Sequence, residues 1–324
     1  MKTIMDKYLQ WFSSFGNKKL DLSLFITEQC NFRCLYCYEN FKFGNMPSDL
    51  IDGVKNLILN KINDLKILNI SFLGGEPLLN KDAIYEISNW AAETCIKHNV
   101  KYTANIATNG FLLDEEIFNE LIKSKITSFQ ITLDGEKQIH DELRQTVNYQ
   151  KTFEKIYSNI IIMSNSDNHF NCNILFNIAS ANYNSVLSFI KNNTTPFKND
   201  NRFTFHFHPF FDMEKINLPR NKERLQLIKL LKNGGLKHNF TSRKESYHYC
   251  KTNNYTIRAN GKIQKYPATI DDDSSDIGNL ENNGTLNINH KKLKEWISLN
   301  KEFNYLRFSK KRASTNRQHI KICC

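Results

Sequence analysis

Between residues 20 and 232 the chain repeats one unit six times: an apolar run, then an amphipathic stretch. The runs fall at 20–26, 67–73, 100–108, 126–133, 170–178 and 202–208. The stretches between them carry apolar residues at helical spacing. In 48–66, Leu50, Val54, Leu57, Ile58, Ile62 and Leu65 recur every three or four residues, and Ser48 stands ready as N-cap. The same reasoning predicts helices at 81–98, 114–124, 151–163, 182–192 and 220–232. Such alternation demands a parallel sheet with helices laid over it.

Right-handed connections curl six consecutive units toward an open barrel. The expected fold is therefore α/β: an open, partial (β/α)6 TIM-like barrel over residues 20–232, after an N-terminal extension of residues 1–19. Residues 233–324 change character. They are rich in Asn, Asp, Lys and Gly, with short strand-like pieces (YTIRA, GKIQKY) and a helix predicted near 289–300. They are expected to form a small C-terminal α+β region.

In parallel βα folds, chemistry sits where the strands end and the loops converge. The chemically distinctive residues of this chain fall at those points. Cysteines follow the first strand, Gly74-Gly75-Glu76-Pro77 the second, Asn109-Gly110 the third and Asp134-Gly135 the fourth; Asn177 ends the fifth, and His206 and His208 end the sixth.

The chain has eight cysteines, three of them within eight residues, in T-E-Q-C-N-F-R-C-L-Y-C-Y. Cys30, Cys34 and Cys37 thus follow a C-x3-C-x2-C spacing. Clustered cysteines in a chain without an export signal point to metal or redox chemistry rather than disulfides. Structural zinc wants four closed ligands, commonly as paired CxxC. A [4Fe–4S] cluster held by three thiolates keeps one iron open to a small molecule.

This motif, with Tyr36 just before the last cysteine, resembles the signature of the radical S-adenosylmethionine (SAM) superfamily. The segment F-L-G-G-E-P-L-L resembles that family's GGE segment. A-T-N-G-F-L-L and Q-I-T-L-D-G-E-K-Q-I-H-D-E-L-R resemble its subgroup with a C-terminal cluster region called SPASM, which includes peptide maturases and anaerobic sulfatase maturases. The resemblance implies one [4Fe–4S] cluster on Cys30, Cys34 and Cys37, whose open iron chelates SAM. An electron from the cluster then cleaves SAM to a 5′-deoxyadenosyl radical that abstracts hydrogen from substrate. Tyr36 matches the position near the adenine. Gly74, Gly75 and Glu76 match the segment at the methionine ammonium, and Thr132 and Arg144 match contacts to the SAM carboxylate. Asn109 and Asn177 complete the expected cofactor-binding set. Arg144 also reads as a surface salt bridge to Asp141, and Asn109 as a turn cap.

The resemblance thins toward the C-terminus. Cys250, Gly261-Lys262-Ile263 and Gly278-Asn279-Leu280 follow the SPASM outline, but Tyr266 stands where its second cysteine is expected. An auxiliary cluster is not expected. Cys95 and Cys172 read as core packing.

His206 and His208 share one face of a strand, with Asp212 at loop distance. Together with Asp134 they are the candidate catalytic residues, although the histidines also read as an ordinary pair on one strand face.

Net charge is +11, and residues 301–324 hold seven Lys/Arg against one Glu. A basic surface suits an acidic partner. No helix-turn-helix or RNA-binding motif is present, so nucleic acid is not expected. No stretch is long and apolar enough for a membrane span, and a cytoplasmic location is expected. The implied function is hydrogen abstraction from a peptide or protein, leading to crosslinking, epimerisation or oxidation of a side chain. The implied partners are that substrate, with an acidic leader, and a flavodoxin- or ferredoxin-type electron donor. A sulfatase-maturase-like enzyme and a non-catalytic paralogue acting as a binding partner are the alternatives.

Overall fold

The computed structural model describes residues 18–209, 221–240, 253–270 and 272–301. Six strands lie side by side in chain order, each parallel to the next: β1 (Lys19–Thr27), β2 (Ile67–Gly74), β3 (Lys101–Thr108), β4 (Ile126–Thr132), β5 (Asn171–Ile178) and β6 (Phe203–Pro209). Helices α1 (Ser48–Lys61), α2 (Lys81–Lys97), α3 (Glu115–Lys123), α5 (Phe153–Asn165), α6 (Tyr183–Asn192) and α7 (Asn221–Asn233) follow the strands, close to the predicted spans. The long connection after β4 also holds a short helix, α4 (Lys137–Leu143), which the hydropathy pattern does not announce. Helix α1 is shorter than predicted, because its last turn tightens to a 3₁₀ turn over Ile62–Asp64. Helix α3 begins after Asp114, whose carboxylate accepts the Ile117 N–H at 2.9 Å.

Alternation within each strand sorts the side chains. In β5, Cys172, Ile174, Phe176 and Ile178 are buried against the helices. Phe118, Phe129, Phe170 and Phe203 meet edge-on in the same layer. Cys95 and Cys172 are both core residues, at 0% and 1% exposure.

The opposite, inner face is different. It presents Asp21, Ser23, Asn69, Ser71, Thr103, Asn105, Ser128, Gln130 and Asn173, half-buried or exposed. Register sets them in rows: Ser23, Ser71, Asn105 and Ser128 neighbour one another across four strands, and Gln130, Asn173 and Thr204 across three. Thr103 Oγ1 donates to Asn69 Oδ1 at 3.0 Å, and Asn105 Nδ2 to Ser71 Oγ at 2.8 Å. Branched apolar residues dominate the interior of a closed βα barrel. Here amides and hydroxyls occupy those positions.

The sheet extends beyond the six units at both edges. Strand β7 (His238–Phe240) adds in parallel to β6. On the other side β8 (Asn254–Ile257) pairs in parallel with β1, followed by antiparallel β9 (Lys262–Gln264), β10 (Gly278–Leu280) and β11 (Leu286–Ile288). The result is one open, 11-stranded sheet, with α8 (His290–Lys301) after its last strand. No helix among the described residues is long and apolar enough to cross a membrane.

Candidate active site

The loop from Glu28 to Asn45 leaves β1 and returns to it. Thr27 and Asn45 form a bridge, and Met46 N–H donates to Ile26 O at 2.8 Å. Gln29 holds the loop's interior by donating its side-chain amide to the carbonyls of Phe41 and Phe43, at 2.8 and 2.9 Å. A second segment lies along it: Arg33 N–H donates to Gln145 O, Leu35 N–H to Leu143 O, and Val147 N–H to Asn31 O. Cys30, Cys34 and Cys37 sit in this loop, each half-buried. Burial pushes the thiols of Cys30 and Cys37 up to about 12 and raises that of Cys34. As bare thiols they resist ionisation; a cationic partner reverses that balance.

The loop after β2 rests against the cysteine loop through its backbone. Gly75 N–H donates to Thr27 O and Glu76 N–H to Gln29 O, at 3.2 and 2.9 Å. A Cβ on Gly75 would lie 2.5 Å from Gln29 O and 2.9 Å from Cys30 Cβ, so only glycine fits this approach. Glu76 is fully buried. Its carboxylate accepts from Leu78 N–H, Thr108 Oγ1 and Asn109 N–H at 3.0, 2.7 and 2.7 Å. Burial raises its pKa and these three donors oppose the rise. Glu76 thus joins the end of β2 to the end of β3. Asn109 in turn donates to Asn31 Oδ1 at 2.8 Å, beside Cys30, and accepts from Phe111 N–H. It therefore caps its own turn and also touches the cysteine loop.

A second network gathers residues from β4, β5 and the connection beyond. Tyr36, between Cys34 and Cys37, donates its phenol to Asp134. Arg144 Nη1 donates to the same phenol oxygen and lies 3.7 Å from Asp134 Oδ2. Asn177 donates its amide to both Tyr36 and Asp134, at 3.4 Å each. Asp134 and Arg144 are buried, at 0% and 6% exposure. The salt bridge from Arg144 to Asp141 expected as one reading is replaced by this one. Asp141 accepts the N–H groups of Thr152 and Phe153 at 2.8 Å each and so organises the start of α5. Burial raises the Asp134 pKa against the opposing charge of Arg144. The Nε–H of Arg144 is buried and meets no acceptor among the described residues.

Sequence reasoning missed the residues behind this network. Asp134 N–H donates to His140 Nδ1 at 3.3 Å, His140 Nε2 meets Thr152 Oγ1 at 3.2 Å, and Thr152 Oγ1 donates to Arg144 O at 2.6 Å. Since the threonine hydroxyl is already donating, His140 carries its proton on Nε2. Burial, then the charge of Arg144, holds its pKa well below the usual histidine range. Asn182 donates to the carbonyls of Asp134 and Asn177 at 3.0 and 2.8 Å. Its place just after the fifth strand was the available signal.

Thr132 lies half-buried at the end of β4. His208 neighbours Asn177 across the β5–β6 register, and His206 neighbours Leu175. Both histidines are half-buried, and burial with the nearby His206 lowers the His208 pKa to about 4. Asp212 and Cys250 lie outside the described residues, as do Cys323 and Cys324.

The donor set suits the expected group. A single ion such as zinc requires its ligands to converge on one point. No three His, Cys, Asp or Glu side chains do so among the described residues. A cluster binds each thiolate through a different iron, which suits three cysteines spaced along one loop, and the iron's charge must offset the burial that keeps the bare thiols protonated.

Residues 24–183 match the family described as the Radical SAM superfamily. A cysteine-type anaerobic sulfatase-maturating enzyme of Clostridium novyi is 29% identical over 211 residues, covering 62% of this chain and 53% of that protein. A GTP 3′,8-cyclase of Campylobacter jejuni is 34% identical over 125 residues, covering 37% of this chain and 36% of that protein. The chain thus matches about half the length, or less, of these curated relatives. Among solved structures, anSMEcpe with bound AdoMet and the Cp18Cys peptide has a TM-score of 0.62 at 21% identity, covering 90% of this chain and 83% of that one. Streptococcus suis SuiB bound to precursor peptide SuiA has a TM-score of 0.55 at 12% identity, covering 80% and 62%. These last two likenesses concern the fold, an open partial barrel. The superfamily works with a [4Fe–4S] cluster and SAM. Cysteine loop and GGE turn both lie within residues 24–183, and it is this segment of the chain that matches the radical SAM superfamily.

Proposed function

We propose that the chain is a peptide- or protein-modifying radical SAM enzyme. In this reading Cys30, Cys34 and Cys37 ligate one [4Fe–4S] cluster, and Gly74, Gly75 and Glu76 border the methionine end of SAM. Thr132 and Arg144 take its carboxylate, and Tyr36, Asn109 and Asn177 border its adenosine. When bound, cluster and SAM supply one-electron reduction and hydrogen-atom abstraction. The chain's own part is to orient and to exclude water. The buried Nε–H of Arg144, without an acceptor among the described residues, is a ready donor for a carboxylate. Asp134 and Asn177 hold Tyr36, and with it the cysteine loop, against the strand ends.

The inner face supports a peptide as substrate. Within the six strands the formally charged residues are Lys19, Asp21 and Lys101, all toward the strand starts, and Lys19 pairs with Asp21 at 2.8 Å. A nucleoside triphosphate calls for a group of cations. Rows of amides and hydroxyls, which both donate and accept, suit a neutral peptide segment instead. His208, kept neutral by burial, would take a proton from substrate in this reading, with His206 one row away on the same strand. Asp134 and Asp212 complete the proposed catalytic set. The basic residues at 301–324 suit an acidic leader, and a flavodoxin- or ferredoxin-type protein would deliver electrons.

Likeness to the Clostridium novyi enzyme favours sulfatase-type maturation as a second reading; Tyr266 in place of a cluster cysteine weighs against it. We further propose that residues 1–19, 20–232 and 233–324 act as extension, barrel and C-terminal region.

Anaerobic turnover with SAM, reductant and short peptides encoded beside this gene tests the proposal by mass spectrometry. Loss of hydrogen from a peptide, or deuterium uptake from solvent, is expected. SAM cleavage without any peptide change would overturn the peptide reading. Failure to cleave SAM would leave a binding protein.

A further inference from the structure

Arg258, at the end of β8, is completely buried. Its guanidinium makes a two-point contact with Glu28, Nε to Oε1 and Nη2 to Oε2, both at 3.0 Å. Nη1 donates to Asp273 at 2.8 Å and lies 3.7 Å from Asp276. The same guanidinium covers the Phe43 ring, 4.9 Å from its centroid. Glu28 opens the cysteine loop and lies two residues before Cys30; Phe43 lies near its close. Next to it, Lys42 pairs with Asp273 at 2.5 Å, and Glu28 N–H meets Gly44 O at 3.3 Å. One side chain from the C-terminal region therefore touches both stems of the loop.

A planar guanidinium that meets a carboxylate at two points fixes direction as well as distance. Buried and paired, it also leaves the Glu28 carboxylate electrically balanced beside the cysteines. We propose that Arg258 is a positioning residue for the cysteine loop: it seals the loop's neck and neutralises Glu28, so that a residue of the C-terminal region steadies the loop that carries the thiols. This rests on the reading that Cys30, Cys34 and Cys37 hold the cluster.

The test uses full-length protein with Arg258→Met, Glu28→Gln, their combination, and Arg258→Lys. Hydrogen exchange on the protein as purified reads the brace directly. Amides of residues 28–46 should exchange at least tenfold faster in Arg258→Met, with those of β4 and β5 unchanged and Arg258→Lys restoring part of the protection. Where Arg258→Met does not fold, Glu28→Gln carries the same comparison. In reconstituted protein, Arg258→Met leaves a negative charge near the cluster and should lower its midpoint potential. Glu28→Gln leaves a positive one and should raise it, while the combined variant returns toward wild type. Uniform acceleration across the sheet, or potentials that do not move in opposite directions, would overturn the proposal. An absence of iron from every variant, wild type included, would instead overturn the cluster assignment; the exchange pattern would then decide the brace alone.

Discussion

Tyr36 and Asp134, far apart in the chain, share one hydrogen bond that ties the cysteine loop to the end of β4. Arg144 donates to the same phenol, so the hydroxyl sits between a buried cation and a buried anion. Tyr36→Phe keeps the ring and removes the bridge. A lost bond to a charged group costs about 1.5–3 kcal/mol. Denaturant unfolding should show a loss of that order, and SAM affinity should fall with it. Unchanged stability would mean that Arg144 and Asn177 hold Asp134 without the phenol.

Glu76→Gln replaces two acceptor oxygens with one oxygen and an NH₂ group. Three donors then face one acceptor, and the amide meets an N–H or O–H. The cluster should be retained while SAM affinity drops on the order of 10–100-fold, the weight of one charge-assisted contact. Isothermal titration with SAM reads this. An unaltered affinity together with lower stability would assign Glu76 to joining β2 and β3 only.

Gly75→Ala puts a methyl against Gln29 O and Cys30 Cβ. Backbone on one side and a cysteine on the other leave it nowhere to go, so the cysteine loop must shift. Overpacking of this kind costs about 1–3 kcal/mol. Iron uptake on reconstitution should slow or fall short. Full uptake at the wild-type rate would show that the two loops can slide apart.

Acid should weaken the fold through His140. Its folded pKa lies well below the ordinary 6.5, so the unfolded chain binds the proton more readily. The contribution to stability is present above pH 6.5 and is lost as pH falls below it, by no more than about 1.4 kcal/mol per pH unit. His208, at about 4, adds in the same sense down to that pH. Melting temperature against pH should fall from 6.5 downward, and His140→Gln should flatten the curve. A flat wild-type profile would contradict the buried, neutral imidazole.

The barrel was legible because its strands are long enough to alternate. Asn171–Ile178 buries every second residue, so the period of two and the core face are the same fact. Helix α4, seven residues long, has no room for an apolar stripe. Strands β7, β10 and β11 run only three residues, below what periodicity can detect, whereas β8 and β9 overlap the strand-like pieces YTIRA and GKIQKY. At the site, the cysteine spacing is local and could be read directly, as could the GGE turn. The linkage of Tyr36 to Asp134 and Arg144, and of Glu28 to Arg258, depends on where distant segments meet. Arg258 left one trace, a charge in an otherwise strand-like Y-T-I-R-A, just where the structure buries it.

The pairing of β8 with β1 sets an order for biosynthesis. Strand β1 leaves the ribosome before β2 and gains it early, yet its other edge waits for residues 254–257. Until then a row of backbone donors and acceptors lies open beside the cysteine loop, and the buried Glu28 lacks its arginine. An unpaired edge of that kind is a template for other chains. The nascent barrel is therefore vulnerable to aggregation until residues 254–257 have emerged, and iron inserted before β8 arrives would meet a loop whose neck is still open.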